Sequence, residues 1–177
     1  MLNSIFGPTP MWLFSNRPGL AQADCYSWGQ DGGRLSTVCQ SSAVDVVVLS
    51  FLNVFFGPGG DPEVNFASSC PGPYFPGTKL LQCSQIGSLA LPSGFADSRQ
   101  DIQTCQNLGK VVLLGLGGAI GTYGFSDSSE ASAFAATLWE MFGEGWGSTR
   151  PFGWVTVDGF NLGIELFEAA PSNRNRY

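Results

Sequence analysis

The sequence predicts an α/β fold built on a parallel sheet. Two observations predict it: three short, β-branched and nearly continuous apolar runs, and segments of helical period set between them. Runs of this kind, without polar alternation, fit strands covered on both faces, and strands that alternate with amphipathic helices are joined by right-handed crossovers.

The three runs are residues 44–52, 110–116 and 155–165, and a weaker first strand is expected at 25–29, followed by a short helix at 35–41. "DSRQDIQTCQNLGK" gives a helix over 98–108 that stops at Gly109, directly before the strand beginning at Lys110. In "SDSSEASAFAATLWEMFGEG", Asp127 with Glu130 forms a capping-box pattern. Phe134, Leu138 and the pair Met141 and Phe142 then recur at helical spacing, and Gly143 supplies a stop. About four strand units result. Residues 53–95 are too long and too rich in Gly, Pro, Ser and Asn for a simple connection and are expected to form a surface excursion.

Composition narrows the functions. The chain has 177 residues, 24 Gly, 11 Pro and 12% charged residues, which fits one loop-rich globular domain. A net charge of -6, with no Lys/Arg stripe, argues against nucleic acid as a partner. No window reaches the roughly 18 apolar residues of a membrane span. With no histidine, the usual Ser-His-Asp and Cys-His arrangements are excluded, so acid–base chemistry must rest on carboxylates or tyrosines. Cys39, Cys70, Cys83 and Cys105 lack the close pairs of metal sites and suit two disulfides, with Cys25 left over. An oxidising, extracellular setting is therefore expected. Its support at the N-terminus is weak: Ala21, Gln22 and Ala23 resemble a cleavage site, but residues 1–20 have no basic start and only a broken apolar run.

Several blocks in order give the sequence a family likeness: "WGQDG", "VDVVVLSFLNVF", "VNFASSCPG", "CQNLGKVVLLGLGGAIGTYGF", "LWEMFG", "STRPFG" and "VDGFNLGIE". Between Trp28 and Glu165 the chain resembles the hevamine-like class III chitinases of fungi and plants, in glycoside hydrolase family 18. The resemblance implies a TIM (β/α)8 barrel with its site at the C-terminal ends of the strands. A closed barrel takes about 250 residues, so the expectation is an incomplete N-terminal half-barrel of about four parallel strands. Residues 1–23 would be a poorly defined N-terminus, 24–167 the partial domain and 168–177 a polar tail; "LFEAAPSNRNRY", residues 166–177, stands where the family continues. An open half-barrel exposes two sheet edges, and self-association through them is expected. The family likeness also implies the pairings Cys39–Cys105 and Cys70–Cys83, a cis peptide between Ser50 and Phe51, and no metal or organic cofactor.

The resemblance identifies Glu165 as the proton donor in substrate-assisted cleavage of the β-1,4 bonds of chitin. The family's motif is Asp-x-x-Asp-x-Asp-x-Glu, and its last three acids share one face of a strand by period-two alternation. Here the four positions hold Asp158, Asn161, Gly163 and Glu165. The acid that orients the substrate's acetamido group is replaced by Gly163, which has no side chain. Gly115 likewise stands where the family has a serine that contacts the middle acid. Ser27 takes the place of a tyrosine, with Tyr26 displaced to the opposite face. Asp158 is read as a structural acid.

Likeness to the family places Gln30, Phe51, Asn65, Gly118 and Ala119 along a groove for N-acetylglucosamine oligosaccharides. Without it, Phe51 and Ala119 read as core and Asn65 as a turn cap. Gly115, Gly117 and Gly118 are not followed by the Gly-Lys-Ser/Thr of a phosphate loop. The function expected is that of a chitinase-like glycoside hydrolase that is weakly active or inactive. The alternatives are a non-catalytic binder of chitin or chito-oligosaccharides, and a shortened chain without function.

Overall fold

The computed structural model describes residues 24–30, 33–70, 72–83 and 98–163. Its elements in chain order are β1 (Cys25–Trp28), α1 (Leu35–Cys39), β2 (Val46–Val54), β3 (Glu63–Val64), α2 (Ser98–Asn107), β4 (Val111–Gly117), α3 (Ser128–Phe142) and β5 (Gly159–Gly163). The strands β1, β2, β4 and β5 stand side by side in that order, all parallel, and β3 pairs antiparallel with β2. Parallel strands lying in chain order, with helices between them, make the open sheet of a partial α/β barrel.

The two faces of this sheet differ. Val47, Leu49, Val112, Leu114 and Leu116 belong to the core and cluster with Leu35, Ile102, Phe134, Leu138 and Phe142 from the three helices. Helix α3 forms where capping predicts it: the Asp127 carboxylate accepts from the backbone N–H of Ser129 at 2.8 Å and of Glu130 at 2.9 Å. Gly143 ends it, donating its N–H to the Trp139 carbonyl. Helix α1 is fastened to α2 by the Cys39–Cys105 disulfide, with Cα atoms 5.2 Å apart. Next to it, Arg34 pairs at 3.2 Å with the buried Asp101. Cys70 and Cys83 close a 13-residue separation in the excursion after β3, and Cys25 stands outside both disulfides.

One sequence expectation needs correction. The apolar run 155–165 reads as a strand throughout, but strand pairing begins only at Gly159, and residues 164–165 lie outside the described residues. Val155 and Val157 are buried in the loop that leads into β5, and their N–H groups donate to the carbonyls of Phe152 and Phe142 instead of to β4. Burial alone made that loop look like a strand. The strand β3 was not readable either, because two residues carry no measurable period.

Candidate functional site

The site is set by the C-terminal ends of four strands. Gln30, just past β1, is held by its carboxamide, whose Nε2 donates to the Ser50 carbonyl at 2.8 Å and to the Asn65 carbonyl at 2.9 Å. Phe51 and Asn65 exchange backbone hydrogen bonds of 3.0 and 2.8 Å, so the end of β2 and the residue after β3 form one unit. The Asn65 side-chain oxygen accepts from the Ala67 N–H at 2.9 Å. The peptide between Ser50 and Phe51 is cis. Below it, the Ser50 and Ser27 hydroxyls are 2.7 Å apart. That pair escaped sequence reasoning, although Ser50 is a single hydroxyl within an apolar run.

On the other side, β4 and β5 are in register with Gly115 opposite Asn161 and Gly117 opposite Gly163. Gly118 continues the contact, donating its N–H to the Gly163 carbonyl at 2.8 Å and accepting the Tyr123 hydroxyl at 2.8 Å. Gly118 has φ +93°, and a Cβ there would lie 2.9 Å from carbons of the Phe51 ring. Glycine is thus required twice over, by conformation and by space. Ala119 follows in an exposed bend.

The ring of Phe51 is the centre of this arrangement. A Cβ at Gly115 would come 3.1 Å from it, and one at Gly163 would come 3.7 Å from it and 4.0 Å from the Asn161 side-chain oxygen. Gly115, Asn161 and Gly163 therefore share one face of the sheet, the face turned away from the helices. The space at Gly163 is bounded by the Leu116 carbonyl, the Phe51 ring and the Asn161 amide, and all three contacts are ordinary van der Waals distances. A side chain would fit there; none is present. At Gly115 the fit is tighter, with Val48 at 3.0 Å.

Asp158 stands apart from these residues. It sits just before β5, where its carboxylate accepts from the Val112 N–H at 2.7 Å and its own N–H donates to the Val112 carbonyl at 2.8 Å. This exchange fastens the start of β5 to β4. Glu165 lies outside the described residues. Among the described residues no group of three His, Cys, Asp or Glu is placed to hold a metal ion, and no helix is long and apolar enough to cross a membrane.

No family model matches the chain. Among curated proteins it is 48% identical over 147 residues to chitinase 1 of Rhizopus niveus, an alignment covering 79% of this chain and 27% of that protein. The solved ICChI chitinase from Ipomoea carnea superposes with a TM-score of 0.63 at 28% identity, covering 81% of this chain and 46% of that one. The xylanase and α-amylase inhibitor protein XAIP-I, solved with trehalose, gives a TM-score of 0.61 at 27% identity, covering 83% and 47%. The chain thus spans about a quarter of the length of the curated relative and under half of either solved structure.

Proposed function

Starting from a chain that has the glycoside hydrolase family 18 chitinase-like fold of fungal and plant type, we propose that it is a chitinase-like protein that binds N-acetylglucosamine oligosaccharides and hydrolyses them slowly or not at all. The observation that carries this is the vacant face at β5, where Gly163 offers no side chain and its neighbours Asn161 and Gly115 offer no charge.

In the proposed chemistry, Glu165 donates a proton to the glycosidic oxygen while the substrate's own acetamido oxygen attacks the anomeric carbon. Positive charge then grows on the acetamido group. A carboxylate at position 163 would steady that charge and hold the group in line. Losing one preorganised group of this kind costs about 3 kcal/mol, or about a hundredfold in rate. Gln30, Phe51, Asn65 and Gly118 supply the binding surface, and two disulfides fit a protein that works outside the cell.

A second reading, a non-catalytic carbohydrate-binding or inhibitory protein, is favoured by the fit to XAIP-I, whose name describes an inhibitor and whose structure contains trehalose. Turnover of a fluorogenic chitotrioside tests the proposal. The expected rate is at least about a hundredfold below that of a full-length chitinase of this fold. A rate within about tenfold of it, abolished by Glu165→Gln, would overturn the proposal.

A further inference from the structure

The loop from α3 to β5, residues 143–158, carries two strongly exposed tryptophans. Trp146 is 94% exposed and Trp154 68%, and Trp139 in the last turn of α3 is exposed as well. Because α3 is the crossover between the parallel strands β4 and β5, it returns from their C-terminal ends, where the groove lies, to their N-terminal ends. The tryptophans therefore stand at the opposite end of the sheet from Gly163 and Phe51, and the groove makes no use of them.

This loop is wound around Arg150. The guanidinium donates to four carbonyls: Nε to Gly153 at 2.7 Å, Nη1 to Glu140 and to Gly145 at 2.6 Å each, and Nη2 to Gly143 at 2.6 Å. Gly145 and Gly153 are the residues directly before the two tryptophans, so one guanidinium draws both indole-bearing segments together. The Trp146 N–H is also tied to the Glu140 carboxylate at 2.7 Å, and the buried Phe152 packs beneath against Phe66 and Phe142. Aromatic side chains on a backbone fixed in advance lose little entropy on binding. Tryptophans so placed are frequent anchors of protein interfaces.

The charges around the rings select the partner. Glu140 and Glu144 are exposed beside Trp146, and among the described residues Glu144 takes part in no ion pair and no hydrogen bond. Arg150, the only basic residue between positions 139 and 158, faces its loop carbonyls. A second copy of this patch would set the carboxylates against their own equivalents, and an uncharged glycan would leave them without a counter-charge. A guanidinium suits both features, since it stacks on an indole face and pairs with a carboxylate. The net charge of -6 adds long-range attraction for a basic partner.

We infer that the C-terminal end of α3 and the loop after it form a docking surface for a basic segment of a partner protein. Arginine side chains of the partner lie on Trp146 and Trp154, and Glu144 and Glu140 meet their charge.

Titration of the 177-residue chain with an arginine-glycine octapeptide, followed by the indole N–H signals in NMR, tests the inference. The same octapeptide with citrulline in place of arginine is the uncharged control. The Trp146 and Trp154 signals are expected to shift with the arginine peptide and to stay in place with the citrulline one. Trp146→Ala and Trp154→Ala should each weaken binding of the arginine peptide by about tenfold. Glu144→Gln should weaken it severalfold, whereas Glu63→Gln, an equal loss of charge on β3, should leave it unchanged. Both tryptophan side chains are exposed, so replacing them spares the core. Equal weakening by Glu63→Gln and Glu144→Gln, with the indole signals unmoved, would reduce the effect to diffuse charge and overturn the inference. Indole shifts produced instead by raising the protein concentration alone would identify a second copy as the occupant, and shifts produced only by chitin oligomers would identify a glycan; either overturns it. A chain that binds neither peptide overturns it too, and leaves the groove reading standing.

Discussion

Among single residues, Gly163 matters most, through what it leaves out. Its backbone is extended and in register with Gly117, and the nearest atoms to a Cβ placed on it are 3.6 Å or more away. The position accepts a side chain without strain, so packing does not dictate the glycine there. Gly163→Asp is therefore expected to fold like the parent and to raise chitotrioside turnover by about tenfold or more. The gain should disappear when Glu165→Gln is added. An unchanged rate in a variant that still binds the sugar would show that position 163 does not limit the reaction. Gly118 is the contrasting case, where φ +93° and the Phe51 ring leave no room for any side chain.

Among the helices and strands, α3 is the clearest example of local sequence specifying local structure. The Asp127 carboxyl is held below its ordinary value chiefly by the Ser129 hydroxyl, with the Glu130 and Ser129 N–H groups adding to the effect. A carboxylate with a depressed pKa stabilises the fold at pH values above its unfolded pKa, and this contribution fades as pH falls through the folded pKa. Asp127→Ala should lower the melting temperature by a few degrees at about pH 6. The gap between parent and variant should close below about pH 4. A gap that persists in acid would mean that the cap does not act through its charge. Strand β5 teaches the opposite lesson. Its start is fixed by the Asp158 exchange with Val112, which is tertiary, while the apolar residues before it are buried in a loop.

Across the molecule as a whole, most of the sheet was legible because a parallel strand announces itself by an unbroken β-branched run. Strands β2 and β4 and helices α2 and α3 could be read from such runs and from helical spacing, within two residues at their ends. The shared face of Asn161 and Gly163 also followed from period two. What could not be read depends on contacts between distant segments. The Phe51 ring is brought against Gly115, Gly118 and Gly163 by pairing of β2 with β4 and of β4 with β5. Tyr74, Lys79 and Leu81 of the excursion line one recess together with Glu63 and Val64 of β3, residues that lie well apart in the chain. The family resemblance implied a carboxylate at position 163; the fold shows what surrounds the glycine that stands there.

The proposal comes down to a chain that holds chito-oligosaccharides without cutting them efficiently. A single time course by NMR, with chitotetraose added to the wild-type protein, reads both halves at once. Ligand-dependent shifts are expected in groove residues such as Gln30 and Gly118, while the anomeric signals of the tetramer stay constant. Rapid growth of shorter oligomers, at a rate matching a full-length chitinase of this fold, would contradict it.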